Sequence, residues 1–237
     1  MTAPERPAST APQEFTATIS YTYRGEPFVA TRTFTLTQKL PAVTSLSTFA
    51  GGGAAMEFGE LDGSYSMTGY SGDTMGLFGI DQDSYGTIYQ EAAAGTTSTV
   101  TVRVTAYDQV VRSSKAGIVL RNDLTQAGAG RGYVSLMVQS EGVTLFNDSD
   151  GDGKIDEFYP LRSGPTTGPL WLRLTRDGGS VKGSYSVDGV TWTGLAQTLT
   201  LNNPTASLDA GMIYVTDTGT TPTSRKGTAS FDSFSVE

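Results

Sequence analysis

The sequence predicts an all-β protein built as an antiparallel sandwich. Three observations predict it. Apolar and polar residues alternate in short runs, Gly, Asp, Asn and Pro turns separate those runs at regular spacing, and no run carries helical periodicity. No fixed-period repeat points to a solenoid or propeller. With 237 residues, 37% hydrophobic and 17% charged, the chain has the balance of a globular protein and enough apolar material for one large β domain.

The elements follow in order. MTAPERPASTAPQ, rich in Pro, Ala, Ser and Thr, reads as a linker over 1–13; it lacks the basic start and apolar stretch of a secretion signal. EFTATISYTYRGEPFVATRTFTL reads as a β-hairpin within 14–40. Phe15, Ala17, Ile19, Tyr21 and Tyr23 share one face, Thr16, Thr18, Ser20 and Thr22 the other, and Phe28, Ala30 and Phe34 line one face of the return strand. Its turn is RGEP, where Gly25 supplies unusual dihedrals and Pro27 is expected to end the pairing. A lone hairpin is marginal in water, so it either packs on the rest of the chain or is the tail of an immunoglobulin-like domain. QKLPAVTS leads into a connector placed at 41–48, and the sandwich is placed at 49–237.

Within the sandwich, STVTVRVTAYD puts Val100, Val102 and Val104 on one face. KAGIVLRND turns Ala116, Ile118 and Leu120 inward, with Lys115, Gly117, Val119 and Arg121 opposite. GYVSLMVQS turns Val134, Leu136 and Val138 inward, with Tyr133, Ser135 and Met137 opposite. PLWLRLTRDGGSVKGSYSVDGVTWT reads as three strands with tight turns at Asp177-Gly178-Gly179 and Asp188-Gly189. DAGMIYVTD and GTASFDSFSVE close the series.

Composition narrows the chemistry. The formal charge is −8 and the pI about 4.6, the wrong sign for a general nucleic-acid or anionic-membrane binder. No apolar stretch is long enough for a transmembrane helix. The chain contains neither Cys nor His, which removes disulfides, thiolate metal sites, Ser-His-Asp triads and His general bases.

NDSDGDGKIDEF, residues 147 to 158, carries the most specific signal. With Asp148 as position one, Asp150 is three, Asp152 five, Gly153 six, Lys154 seven and Asp156 nine. This is the oxygen-ligand order of a calcium loop, in which the seventh ligand is a backbone carbonyl. Position twelve is Tyr159 instead of Glu, and the flanks alternate like strands. The reading is a β-hairpin tip that wraps Ca2+ through Asp148, Asp150, Asp152, Asp156 and the Lys154 carbonyl, as a staple instead of a helix-opening sensor. The competing reading is an acidic solvated turn.

GDTMGLFGIDQDSYGTIYQ, KAGIVLRNDL, RGYVSLMVQ, WLRLTRDGGSVKGSYSVDGVTWT and ASFDSFSV together resemble a bacterial concanavalin A-like jelly-roll module. They are similar to the "regulation of enolase" type and more distantly to C-terminal modules of β-xylosidases and arabinofuranosidases. Met75 departs from that pattern, where such modules often carry Trp. The resemblance implies a two-sheet jelly roll over 49–237, appended to secreted carbohydrate-active enzymes.

Three further features bear on function. Asp83, Tyr85, Thr87 and Tyr89 share a face, as do Lys115 with Arg121, Tyr133 with Ser135, and Trp171 with Arg173. If these faces form the concave side of one sheet, they line a sugar-binding groove in which Tyr85, Tyr89, Arg121, Tyr133, Trp171 and Arg173 make the contacts. Otherwise they are an ordinary solvated sheet face. SVDGVTW, residues 186 to 192, is similar to an Asp-box turn; the preferred reading is a folded hairpin with Trp192 in the core. No Glu-x-Asp-x-x-Glu run supplies a glycosidase carboxylate pair.

The expectation is therefore a noncatalytic, calcium-containing carbohydrate-binding module of a secreted bacterial carbohydrate-active enzyme. Its ligand would be a polysaccharide, with the catalytic domain in cis. The alternative is a structural spacer or adhesion domain that binds only calcium. A His-free lyase or hydrolase that uses Tyr or carboxylates is the third reading.

Overall fold

The computed structural model describes residues 13–36, 40–51, 54–70, 85–110, 114–125, 132–152, 155–160, 164–216 and 226–237. Met75, Asp83 and Lys154 lie outside them. The chain divides into two compact units, Met1–Pro41 and Ala42–Glu237.

The first unit is a two-stranded antiparallel ribbon of β1 (Gln13–Tyr23) and β2 (Glu26–Leu36). Arg24 (φ 52) and Gly25 (φ 85) form its two-residue turn, the twist that right-handed strands need. Tyr21 faces Phe28 with rings stacked at 5.2 Å, and the backbone register pairs position 15 with position 34. Pro27 does not end the pairing: it sits opposite Thr22, one pair beyond Tyr23–Glu26. The pair next to a two-residue turn is the hydrogen-bonded one, so the following pair directs its amides outward and tolerates a proline.

The second unit carries β3 (Ser47–Ala50), β4 (Ala55–Leu61), β5 (Ser64–Tyr70), β6 (Gly86–Ala94), β7 (Thr97–Tyr107), β8 (Lys115–Arg121) and β9 (Val134–Gln139). It continues with β10 (Gly142–Asn147), β11 (Glu157–Pro160), β12 (Leu170–Asp177), β13 (Ser180–Ser186), β14 (Thr193–Thr200), β15 (Leu208–Val215) and β16 (Gly227–Val236). Among the described residues these form a two-sheet antiparallel jelly-roll sandwich of seven strands per sheet. One sheet runs β11-β10-β9-β8-β15-β6-β3, the other β14-β13-β12-β7-β16-β5-β4. Val43 and Leu46 pack against the sandwich core, so the stretch read as a connector belongs to this unit.

Alternation decides what fills the space between the sheets. Val100, Val102 and Val104 meet Ile118, Leu120, Leu136, Val138, Leu172, Leu174, Met212 and Phe231 there, all buried. The first sheet also buries its other face. Val119, Met137, Phe146, Ile213 and Val215 join Tyr85, Tyr89, Tyr133 and Leu124 in a second apolar layer. That explains why β8, β10 and β15 are buried at every residue, whereas β12 alternates.

Tyr214 and Tyr107 tie the second unit together through their hydroxyls. Tyr214 donates to the Asp108 carbonyl at 2.9 Å and Tyr107 to the Thr166 carbonyl at 2.7 Å. Burial pushes the Tyr107 hydroxyl up to about 12, against the opposing effect of Gln109, and pushes Tyr214 up as well. A tyrosine whose folded pKa is raised contributes stability that is complete below its unfolded value near 10 and is lost as pH rises through the folded value. Unfolding followed by near-ultraviolet circular dichroism should therefore set in between pH 10 and about 12. Tyr107→Phe should flatten that limb; an unchanged alkaline limb in the variant would exclude Tyr107 as its source.

Candidate functional site

The acidic loop is the tip of the β10–β11 hairpin. Asn147 pairs with Glu157 and Phe146 with Phe158, and the Asp156 amide closes the loop on the Asn147 carbonyl at 3.2 Å. Inside, the carboxylates of Asp148, Asp150 and Asp156 each organise a short turn. Asp148 Oδ1 accepts from the Gly151 amide at 2.6 Å, and Asp150 Oδ1 from the Asp152 amide at 3.0 Å. Asp156 Oδ2 accepts from the Ser149 amide at 2.7 Å and its hydroxyl at 2.6 Å. Gly151, at φ 81, makes the bend.

These turns bring one carboxylate oxygen each of Asp148, Asp150, Asp152 and Asp156 within 4.8 Å of one another. Such a cluster could hold a metal ion. Asp148 is only 1% exposed, and Asn147 beside it buries a side-chain oxygen that has no hydrogen-bond partner among the described residues. Carboxylates this close repel unless a cation neutralises them. The donor set is all oxygen, which suits a hard divalent ion.

The six residues expected to line one groove do not share a face. Tyr89 and Arg121 lie on strands of the first sheet and Tyr85 and Tyr133 directly precede its β6 and β9, whereas Trp171 and Arg173 lie on β12 in the second. The first four are also buried, at 0–7% exposure. Arg121 Nη1 donates to the Tyr85 hydroxyl at 3.1 Å and the centre of its guanidinium lies 5.9 Å from the Tyr133 ring centre; Tyr85 donates to the Leu124 carbonyl at 3.0 Å. Burial pushes the Tyr89 hydroxyl up, with Glu91 and Asp209 adding to it. The cause is the second apolar layer: Val119, Met137, Phe146 and Ile213 share that face, so its tyrosines pack where a groove would need them open.

On the second sheet, strand register aligns Asp232, Arg103, Trp171 and Ser186 in one row across β16, β7, β12 and β13. Arg103 Nε donates to Asp232 at 2.7 Å, and the guanidinium lies 5.4 Å from the Trp171 ring centre. Two residue pairs along, the Arg173 guanidinium lies over the Trp192 ring, 3.6 Å from its centre. Trp171 and Trp192 are both partly exposed.

The SVDGVTW turn is folded as an Asp-box-like loop. Ser186 Oγ donates to Asp188 Oδ1 at 2.8 Å, and Asp188 accepts the Val190 and Thr191 amides at 2.8 and 2.7 Å. Those amides hold the Asp188 carboxyl well below the usual range. Trp192 is not its core residue. The turn approaches the partly exposed Trp171 instead: a Cβ on Gly189 would lie 2.9 Å from its ring, and Gly189 has φ 75.

The sequence reading missed Arg176, Asn147 and Asn202. Arg176 has the parity of the inward-facing Leu170, Leu172 and Leu174, a signal that was available. Asn202 carries no local signal.

No family model matches the sequence, and no curated protein matches it. Among solved structures it is similar to a functionally unknown protein from Saccharomyces cerevisiae, at TM-score 0.60 and 17% identity over 78% of this chain and 95% of that one. It is also similar to the GH43 protein BlXynB of Bacillus licheniformis, at TM-score 0.49 and 16% identity, over 72% of this chain and 32% of that one. A third is alginate lyase A1-II', a member of polysaccharide lyase family 7, at TM-score 0.47 and 14% identity, over 76% and 82%. The yeast likeness shows a shared fold.

Proposed function

We propose that this chain is a noncatalytic, calcium-containing carbohydrate-binding module, an accessory to a secreted bacterial carbohydrate-active enzyme carried in cis. The convergence of four aspartates at a hairpin tip carries the calcium part of this reading. Calcium accepts many oxygen ligands in flexible geometry, whereas magnesium keeps more of its waters. Asp148, Asp150, Asp152 and Asp156 would hold it, together with the Lys154 carbonyl. The glycan part rests on the resemblance in the strand motifs and on the second sheet's outer face. There Trp171 and Trp192 offer ring surface, and Arg173 and Arg103 offer donors for sugar hydroxyls.

Binding to a panel of soluble polysaccharides, with calcium and with chelator, tests both parts. For the glycan that binds, Trp192→Ala should weaken affinity roughly tenfold, about 1.4 kcal/mol, without loss of calcium binding. An absence of binding to every polysaccharide at millimolar sugar would remove the glycan part.

One observation favours the second reading, a spacer or adhesion domain whose only ligand is calcium. Four of the six expected sugar contacts are buried. That reading expects chelator-sensitive melting and no polysaccharide binding.

A further inference from the structure

The acidic loop is joined to the connection between β14 and β15. Asn202 Nδ2, in the segment after β14, donates to the Ser149 carbonyl at 3.1 Å. The Asn202 carbonyl in turn accepts the Gly132 amide at 2.8 Å. Next door, Asn122 Nδ2 donates to the Asn203 carbonyl at 3.0 Å, and Asn122 Oδ1 accepts the Thr205 amide at 3.0 Å. Asn122 and Gly132 stand at the two ends of the β8–β9 connection, beside Arg121 and Tyr133. Leu124, in the same connection, receives the Tyr85 hydroxyl.

We infer that metal occupancy of the 148–156 loop is coupled through Asn202 to the β8–β9 connection, and so to the packing of the Tyr85–Arg121–Tyr133 cluster. This rests on the calcium reading above. The physical argument starts at Ser149. Its peptide lies between two of the four clustered aspartates, and its amide and hydroxyl are both held by a third, Asp156. A cation that fixes Asp148, Asp150 and Asp156 therefore fixes the Ser149 carbonyl, the acceptor for Asn202. Without a cation, repulsion among the carboxylates loosens that acceptor. Asn202 then keeps only the Asn203 Nδ2 bond to its Oδ1, at 3.0 Å, and its carbonyl, the acceptor for the Gly132 amide, is held less firmly. Coupling of this kind is reciprocal: whatever orders Asn202 also tightens the metal site. Asn202 is a positioning residue; its side-chain bond goes to the Ser149 carbonyl.

Calorimetric calcium titration combined with amide hydrogen exchange tests it on the full chain. In the wild type, calcium should slow exchange at Ser149 and Gly151, and also at Gly132 and Leu124, the latter pair by at least about threefold. In Asn202→Ala, calcium should still slow Ser149 and Gly151 but no longer Gly132 and Leu124. Its calcium affinity should fall about three- to tenfold, the effect of one hydrogen bond. A merely structural role would change exchange equally with and without calcium. Asn122→Ala gives a second route: it should uncouple Leu124 while leaving the Ser149–Asn202 bond and calcium affinity as in the wild type. Calcium binding that slows the loop but leaves wild-type Gly132 unchanged overturns the coupling and spares the calcium reading. A titration without binding heat or loop protection removes both.

Discussion

Arg176→Ala will lower the melting temperature of the sandwich by about 10 °C or more, equivalent to roughly 3–5 kcal/mol in a domain of this size. Arg176 sits on the core-facing row of β12 and is 2% exposed. Its guanidinium joins three separate segments. Nε donates to the Gly178 carbonyl at 2.9 Å in the β12–β13 turn, Nη1 to the Ala94 carbonyl at 2.9 Å at the end of β6, and Nη2 to the Thr205 carbonyl at 2.7 Å before β15. Burial pulls its pKa down, so the charge is held at a cost that only those carbonyls offset. Truncation leaves a cavity and strands the acceptors, each at about 1–3 kcal/mol. Arg176→Lys should recover only part of the loss, because one ammonium cannot reach three carbonyls in a planar fork. Chemical denaturation of the three proteins is the measurement. A loss below about 1 kcal/mol in the alanine variant would show that water takes over the acceptors.

Arg176 also shows where sequence reading works and where it stops. Inward positions were legible because alternation is local: Val100, Val102 and Val104, or Ile118 and Leu120, announce their face within a few residues. The clustering of the acidic loop was legible for the same reason, since Asp148, Asp150 and Asp152 stand two residues apart and Asp156 follows within the same hairpin tip. The supposed groove was not. Arg121 and Arg173 alternate in the same way with apolar neighbours, yet they stand on different sheets, and only the strand order β9-β8-β15 against β13-β12-β7 separates them. The burial of Tyr85 and Tyr133 depends on Leu124, Phe146 and Ile213 from three other segments. Trp192 is partly exposed where a core position was expected, and Gly189 approaches Trp171 instead, because which ring a turn approaches is a property of three dimensions. The Asn202 contact joins positions fifty-three apart, which no local pattern records.

Saturating calcium should raise the melting temperature by about 5–10 °C over the chelated protein, since ligand at a hundred times its dissociation constant stabilises by about 2.7 kcal/mol. Two variants give this prediction opposite signs in the two states. Asp150→Asn removes one of the clustered charges at an exposed position, where its side-chain oxygen can still accept the Asp152 amide. In chelator it should melt slightly above the wild type, because mutual repulsion falls. In calcium it should melt below it, because a charged ligand is gone. Asp148→Ala should lose the calcium shift entirely and melt below the wild type in both states, because the 1% exposed carboxylate also accepts the Gly151 amide that bends the loop. Asp152→Ala should lose affinity and stability in calcium. The crossover in Asp150→Asn is the decisive outcome. An acidic solvated turn would also gain from losing a charge in chelator, but it would show the same gain in calcium. Identical wild-type melting with calcium and chelator, or a variant ranking that does not depend on calcium, would identify the loop as such a turn.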